Sequence, residues 1–212
     1  MADRPNMELV AEGYVGDHLF ALLDKHKPDV LVLDLMMPQY ENGQPDNSSF
    51  LPLPALARLV KDYPDTAVII LSQFLHQGIA QGAIQHGVRG YLLKSDNLSL
   101  NLPSAIEEVN RGGVYFSLEF SQELFRSSAT PPRDLLTQRQ REIILAIAKN
   151  PDLSYEQIAD GLGITVRTLK GHLNLTYKAL EVTNLTACII RCMQFGLIPF
   201  SHNGTGIIFG DL

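Results

Sequence analysis

The sequence predicts two domains, an α/β domain followed by an all-α domain. Short apolar runs alternate with helical patterns through the first part of the chain, which is typical of a parallel sheet covered by helices on both faces. A segment rich in serine and proline, residues 126–133, then indicates a linker. Beyond it, two helix-capping motifs and apolar residues at helical spacing indicate a small helical domain. We expect domains at residues 1–125 and 134–199 and a tail at residues 200–212.

Composition indicates a soluble globular protein. The 212 residues are 45% hydrophobic and 19% charged, and the longest apolar runs, such as residues 67–71, are too short to span a bilayer. The first five residues lack the apolar core of a secretion signal, so we expect a cytoplasmic protein without membrane contact. Cys188 and Cys192 lie four residues apart on one predicted helix, where packing is a better explanation than a disulfide or a metal site.

The first domain contains three predicted strands and four predicted helices. The strands are residues 30–33, 68–71 and 90–93, and the helices are residues 18–26, 54–62, 77–86 and 103–111. Residues 39–52 are rich in proline, glycine, asparagine and serine and predict a long loop.

A polar residue follows each of the three strands. Asp34, Ser72 and Lys94 occupy these positions, and the carboxyl ends of parallel strands are where ligands bind in such sheets. Each residue alone is more often a turn or cap residue. A carboxylate nucleophile, a hydroxyl and a cation at one sheet edge together predict a phosphoryl site.

The second domain begins with two helices that have capping signals. Residues 137–140 and 154–157 both have the form of a capping box. Ile143, Ile144 and Ile147 would pack beneath the pair of helices that follows, and Gly163 permits a sharp turn. This arrangement predicts a helix-turn-helix.

The helix after Gly163 has one apolar face and one basic face. Thr165 can cap it, and an apolar stripe recurs along it at Val166, Leu169, Leu173, Tyr177 and Leu180. The opposite arc carries Arg167, Lys170, Gly171, Asn174 and Lys178, and no acidic residue lies between Thr165 and Leu180. Such a face attracts double-stranded DNA, although any small helical domain has caps, apolar stripes and some cations.

The charge distribution agrees with this division of roles. Residues 1–132 carry 9 Lys+Arg and 16 Asp+Glu, a net charge of -7, whereas residues 133–212 carry 8 and 7, a net charge of +1. The acidity therefore belongs to the first domain, and the cations of the second are concentrated on one helix.

Several motifs resemble one bacterial family. Residues 29–38, Ser72 and residues 90–94 are similar to the receiver domain of two-component response regulators. Residues 136–142, 168–172 and 196–198 resemble the LuxR-type helix-turn-helix of the NarL/FixJ family. Residues 112–117 resemble that family's segment entering the linker, so the resemblance covers roughly residues 1–198.

The resemblance implies a regulator of transcription rather than an enzyme. It implies that Asp34 is the phosphoacceptor, that Lys94 contacts the phosphoryl group, and that Ser72 and Tyr91 form the switch pair. A sensor histidine kinase, double-stranded DNA and a second copy of the chain are the implied partners, and Mg²⁺ is the implied cofactor at Asp34. The implied DNA-binding residues are Thr165, Arg167, Thr168, Lys170, His172, Asn174 and Lys178.

The sequence also departs from the family. Residues 7–10 resemble the family's second strand, so the first strand and the acidic pair that holds Mg²⁺ are not found before them. We therefore expect Asp34 to be phosphorylated poorly. The loop at residues 39–52 is longer than usual, and Gln140, Leu175, Ala179 and Leu185 replace the family's polar or charged residues, which predicts weaker DNA affinity.

The sequence leaves two alternative functions for the first domain and one surface of uncertain role in the second. An aspartyl phosphatase is disfavoured because Met36 stands where a second aspartate is needed. The first domain could instead be a phosphorylation-independent module for protein interaction or ligand sensing. Residues 186–194 are apolar around much of their helix, which indicates either a dimer surface or burial within the small domain.

Overall fold

The computed structural model describes residues 6–40, 50–75, 77–126 and 135–198, and the backbone of residues 201–202 and 206–208. Its strands are β1 Val30–Asp34, β2 Ala67–Ser72, β3 Gly90–Leu93, β4 Tyr115–Ser117, β5 Ser201–His202 and β6 Gly206–Ile208. Its helices are α1 Leu19–His26, α2 Pro52–Asp62, α3 Gln77–Gln85, α4 Leu98–Asn110, α5 Leu118–Arg126, α6 Gln138–Lys149, α7 Tyr155–Gly161, α8 Val166–Leu180 and α9 Leu185–Gln194. A short 3-10 helix, Gly16–His18, precedes α1.

The predicted parallel sheet is confirmed. The strand order is β1-β2-β3-β4-β6-β5, and β1 to β4 are parallel to one another. The last two strands come from the C-terminal tail and are antiparallel to their neighbours. Neither these two strands nor β4 was predicted, because each is only two or three residues long and shows no alternation that could be recognised.

Alternate residues of the strands point to opposite faces of the sheet. Ile69, Leu92 and Tyr115 pack with Ala105 and Val109 of α4 on one face. On the other face, a larger cluster joins strand residues to helices α1, α2 and α3. Strands buried on both faces explain why the sequence shows continuous apolar runs here.

β1 lies at one edge of the sheet. Its residues are half-buried except Leu33, and a groove of about 1620 Å³ runs beside it, lined by residues 6–15, β1 and α4. The expectation of a strand at residues 7–10 is wrong, because the structure gives this segment no strand pairing. A strand persists only where another strand accepts its backbone hydrogen bonds, and residues 7–10 have no such neighbour here.

Helix α4 begins five residues earlier than the sequence predicts. A proline favours the first turn of a helix, so the expected start was residue 103. Pro103 instead lies inside the helix and is buried. The proline removes one backbone hydrogen bond, and the packing of this helix against the sheet offsets that loss.

The second domain consists of the four helices α6 to α9 and contains the predicted helix-turn-helix. Thr137 and Ser154 both form complete capping boxes with Gln140 and Gln157, and Gly163 has a φ of +65° at the turn before α8. Ile143, Ile144 and Ile147 are buried beneath α7 and α8, in a cluster that also contains Leu169 and Leu173. The local sequence signals therefore gave the correct structure in this domain.

Helix α9 packs in two directions. Cys188 and Cys192 are free, buried residues in the core of the helical domain, as expected for packing residues. Ala187, Ile190 and Met193 belong instead to the cluster of the first domain. The expectation of either an open dimer surface or complete burial within the small domain is therefore corrected, because the first domain covers one face of α9.

Three expectations fall outside the described residues. They are the linker at residues 127–133, the centre of the loop at residues 41–49, and the parts of the tail at residues 200, 203–205 and 209–212. Within the described residues, no helix is both long and apolar enough to cross a membrane.

Candidate phosphoryl site and nucleic-acid interface

The carboxyl ends of β1, β2 and β3 meet at one edge of the sheet. The strand register pairs Asp34 with Leu71, and Ser72 with Leu93. The backbone N–H of Lys94 donates to the Ser72 carbonyl at 2.8 Å. The parallel register therefore places the three polar residues predicted from the sequence at adjacent strand ends.

Asp34 and Lys94 form an ion pair. Nζ of Lys94 lies 2.6 Å from Oδ2 of Asp34, and each side chain is about a third exposed, 36% for Asp34 and 32% for Lys94. The backbone N–H of Met36 donates to Oδ1 of Asp34 at 2.9 Å. Both carboxylate oxygens thus accept a hydrogen bond, which fixes the orientation of the group.

Ser72 is buried, with 2% of its surface exposed. Its hydroxyl donates to the Phe74 carbonyl at 2.6 Å. This bond holds the hydroxyl in the turn after β2. A switch that uses Ser72 would first have to break it.

Tyr91 is buried in β3 and stacks on an aromatic residue of α5. The ring centroids of Tyr91 and Phe120 are 4.5 Å apart, and those of Phe116 and Phe120 are 5.0 Å apart. Sequence reasoning missed Phe120, because the segment around it carries no cap that would have signalled α5. The stack joins the strand that precedes Lys94 to the helix that leads out of the first domain.

The residues around Asp34 fit Mg²⁺ poorly. Mg²⁺ takes oxygen ligands in near-octahedral geometry and is usually held by one or two carboxylates. Within the described part of the chain, no cluster of three or more His, Cys, Asp or Glu side chains could hold a metal. Lys94 already occupies one oxygen of Asp34, so a divalent cation at this carboxylate would have to compete with the ammonium group.

Thr165 and Thr168 form the N-terminal cap of α8. Oγ1 of Thr165 accepts from the backbone N–H of Thr168 at 3.1 Å, and the two hydroxyls lie 2.9 Å apart. The predicted cap is therefore confirmed. It fixes the start of the helix and hence the angular position of every residue after it.

The basic arc of α8 faces solvent. Arg167, Lys170, Asn174 and Lys178 are exposed, and His172 is half-buried. Leu175 lies among them with 57% of its surface exposed. The apolar stripe turns the other way, with Leu169, Leu173 and Leu180 buried.

One acidic side chain lies near this arc. Hydrogen bonds from its own backbone and from Ser154 lower the pKa of Glu156, and the charge of Lys170 lowers it further. Among the described residues, Lys170 forms no ion pair within 4.0 Å. The ammonium of Lys170 therefore remains available to an external anion.

A further polar residue joins the two domains. Asn184 caps α9 through Oδ1, which accepts from the backbone N–H of Ala187 at 2.9 Å. Its Nδ2 donates to the carbonyls of Gln85 at 2.7 Å and Ile84 at 3.2 Å, at the end of α3. An asparagine before an apolar helical run indicates a helix cap, so the cap could have been predicted from the sequence. The contact of Asn184 with α3 could not.

Comparison with known families accounts for most of the chain. Residues 2–102 match the response regulator receiver domain, and residues 134–192 match the bacterial regulatory proteins of the luxR family. The response regulator protein VraR of Staphylococcus aureus strain Mu3 is 28% identical over 200 residues, covering 93% of this chain and 90% of that protein.

Two solved structures are similar to the chain at lower identity. The RcsB response regulator of Salmonella typhimurium is 20% identical, covering 86% of this chain and 83% of that one, with a TM-score of 0.45. A LuxR-family two-component response regulator from Aurantimonas is 23% identical, covering 57% and 79%, with a TM-score of 0.47.

The two family matches follow one another in the order of the two folded units. The first spans the strands that carry Asp34, Ser72 and Lys94, and the second spans α8 with its exposed basic arc. The chain therefore belongs to the two-component response regulators that join a receiver domain to a LuxR-type helix-turn-helix DNA-binding domain.

Proposed function

We propose that this regulator binds double-stranded DNA as a homodimer, with two copies of α8 in successive major grooves of a two-fold site. The receiver domain comprises residues 1–125, the linker residues 126–133, the DNA-binding domain residues 134–199, and the tail residues 200–212. A sensor histidine kinase is the upstream partner and Asp34 the phosphoacceptor. We place this activity in the cytoplasm, where bacterial DNA lies.

The exposed basic arc of α8 carries this proposal. A duplex attracts cations through its phosphates, and α8 offers Arg167, Lys170 and Lys178 on a surface that the rest of the protein leaves open. The Thr165 cap satisfies a backbone N–H in the first turn of the helix. A recognition helix uses its N-terminal residues to reach base edges, which is where Arg167 and Lys170 lie.

The residues of the arc have different roles in this proposal. Arg167, Lys170 and Asn174 contact base edges or the phosphates next to them, because arginine, lysine and asparagine pair with purine edges in the major groove. His172 and Lys178 contact the sugar-phosphate backbone of the DNA and thereby fix the position of the helix along the duplex. Thr165 and Thr168 shape the helix start through the cap hydrogen bond between them, and the positive end of the helix dipole there favours a nearby phosphate.

Salt dependence of DNA binding tests the proposal. We assume that each protomer makes about three cationic phosphate contacts. A plot of the logarithm of the DNA affinity against the logarithm of the salt concentration should then have a slope of about -5 for a dimer. Fluorescence anisotropy with a labelled duplex measures this slope. Lys170→Ala should reduce its magnitude, by about 1 per protomer, whereas Lys61→Ala, an exposed lysine of α2, should leave it unchanged. An isotherm that does not respond to salt would contradict the proposal.

A second candidate function differs only in how the signal arrives. Both oxygens of Asp34 are engaged by Lys94 and Met36, and this favours a receiver that acts as a phosphorylation-independent module for protein interaction or ligand sensing. Under this alternative, Asp34→Asn leaves DNA affinity unchanged while deletion of residues 1–125 alters it. Under the first, Asp34→Asn abolishes the response to the kinase.

A further inference from the structure

The C-terminal tail covers the outer edge of β4. β6 pairs with β4 in antiparallel register, with Tyr115 opposite Ile208, Phe116 opposite Ile207 and Ser117 opposite Gly206. β5 then pairs with β6. A sheet edge presents unpaired N–H and C=O groups that must find partners. At β4 these partners come from the end of the same chain.

The path of the chain makes this pairing a second connection between the domains. The chain leaves the receiver domain through α5, forms α6 to α9, and returns to the receiver sheet at β6. Helix α5 also contacts β6. The DNA-binding domain is therefore attached to the receiver at both of its ends, which restricts its positions far more than one linker does.

In this arrangement the domains are in close contact. Asn184 and Thr183 donate to carbonyls at the end of α3, with Oγ1 of Thr183 lying 3.1 Å from the Gln85 carbonyl. Gly112, at a φ of +94°, lies so close to the Pro151 carbonyl that a Cβ there would collide with it. The face of α9 formed by Ala187, Ile190 and Met193 is buried against the receiver.

We propose that strands β5 and β6 act as an intramolecular strap, which holds the DNA-binding domain closed on the receiver and keeps the apolar face of α9 from meeting a second copy of the chain. The dimerisation part of this inference rests on the proposed function. Release of the strap frees α9, while the basic arc of α8 is exposed in either state. Regulation by the strap thus acts on self-association and not on access to the recognition helix.

The pairing of the strap with β4 places it where a change in the receiver domain could release it. β4 continues directly into α5, and Phe120 of α5 stacks on Tyr91 and Phe116. A change of position of Tyr91 would displace Phe120, and with it the strand to which the strap is paired. The strap is therefore paired with Phe116, the residue that lies opposite Tyr91 in the sheet.

A disulfide tests the pairing directly. Directly opposed residues of antiparallel strands have Cα atoms about 4.5–5.5 Å apart, within the range a disulfide accepts. Ser117→Cys with Gly206→Cys should form a crosslink within one chain, seen as a monomer of altered mobility on a non-reducing gel. Ser117→Cys with Ile208→Cys, two residues out of register, is the matched control and should crosslink poorly. A crosslink between two chains, or none, would overturn the strap.

Self-association tests its consequence. By sedimentation velocity, the oxidised Ser117→Cys/Gly206→Cys protein should self-associate about tenfold more weakly than its reduced form. Truncation after Ile198 should have the opposite effect and strengthen self-association. Equal self-association in the oxidised, reduced and truncated proteins would refute a role in dimerisation.

Hydrogen exchange provides a variant that leaves the chain length unchanged. Ile207→Pro removes a backbone donor from β6, so the amide of Phe116, which lies opposite Ile207, should exchange about tenfold faster. The amide of Tyr115 donates to the Arg89 carbonyl and should exchange as before. Asp211→Pro, beyond β6, is the control and should leave them unchanged. Unchanged exchange in Ile207→Pro would contradict the pairing.

DNA binding separates this inference from the proposed function. Binding of a labelled mixed-sequence duplex at low salt should strengthen on truncation after Ile198, because a dimer has twice as many cationic contacts. If no variant binds the duplex but the crosslink forms and self-association responds to it, the proposed function fails and the strap stands.

Discussion

Nζ of Lys94 lies 2.6 Å from Oδ2 of Asp34, so the lysine directly neutralises the carboxylate proposed to accept a phosphoryl group. The backbone N–H of Met36 holds the other oxygen. The lysine can stabilise charge on an added phosphoryl group, but it competes with a divalent cation for the carboxylate, and the described residues form no cluster of three or more His, Cys, Asp or Glu side chains that could hold a metal.

We therefore predict little or no phosphorylation of this chain by a small-molecule donor. Phosphoryl transfer depends on positioning and on cations that neutralise developing charge, and here Lys94 is the cation in place. Intact-mass measurement after incubation with acetyl phosphate and Mg²⁺ checks this, with Asp34→Asn as the control. A stoichiometric adduct that Asp34→Asn abolishes would show that the site is complete.

Asn184 should stabilise the closed protein in two separable ways. Asn184→Ala removes both the α9 cap and the bonds to α3, and should lower the free energy of unfolding by about 2–3 kcal/mol. Asn184→Asp keeps an N-cap acceptor but cannot donate to the Ile84 and Gln85 carbonyls, so it should retain the cap and lose the domain contact. Urea denaturation measures the free energy of unfolding of each variant. Thr165 caps a helix but makes no contact between the domains in the described part of the chain, so Thr165→Ala should lower the free energy of unfolding by about 1 kcal/mol. Equal losses at all three would contradict the domain contact.

Phe120 should be important to the stability of the receiver domain. It is buried and stacks on both Tyr91 and Phe116, so Phe120→Ala should cost about 3–5 kcal/mol. The control Phe74→Ala, at a side chain that is largely exposed, should cost less than about 1 kcal/mol. Thermal or urea unfolding followed by circular dichroism measures both, and a small loss at Phe120 would mean that α5 packs loosely.

Tyr177 predicts a loss of stability at alkaline pH. Burial, with a contribution from nearby Tyr155, raises the pKa of Tyr177, whereas a tyrosine in the unfolded chain has a pKa of about 10. The unfolded state therefore loses its proton first, so the stability is fully present below about pH 10 and falls as the pH rises above it. Tyr177→Phe should reduce the loss of free energy of unfolding at high pH. Tyr14→Phe, at an exposed tyrosine, is the control and should not change it. An unaltered pH profile in Tyr177→Phe would contradict the assignment.

The parts of the molecule that local chemistry determines could be predicted from the sequence. Thr137, Ser154 and Thr165 each cap the helix that follows, because a cap depends on only four consecutive residues. The strand ends at Asp34, Ser72 and Lys94 could be placed together because parallel strands share one polarity.

The contacts between distant segments could not be predicted in this way. The pairing of β4 with β6 joins residues far apart in the chain, and nothing in so short a segment specifies a partner. The contact of Asn184 with α3 depends on how two domains meet, and the burial of α9 against the receiver follows from the same docking. The start of α4 was misplaced because the packing of Pro103 outweighed its local preference.

Because β1 lies at the edge of the sheet, this part of the receiver domain should open locally more easily than the central strands. β2 and β3 are paired on both sides, whereas β1 has only β2 beside it and faces a groove. Native proteins open first where few buried contacts hold a segment. Asp34 therefore stands on a strand that opens more readily than β2 or β3, and a molecule that binds along that edge would hold the residue proposed to receive the signal more firmly.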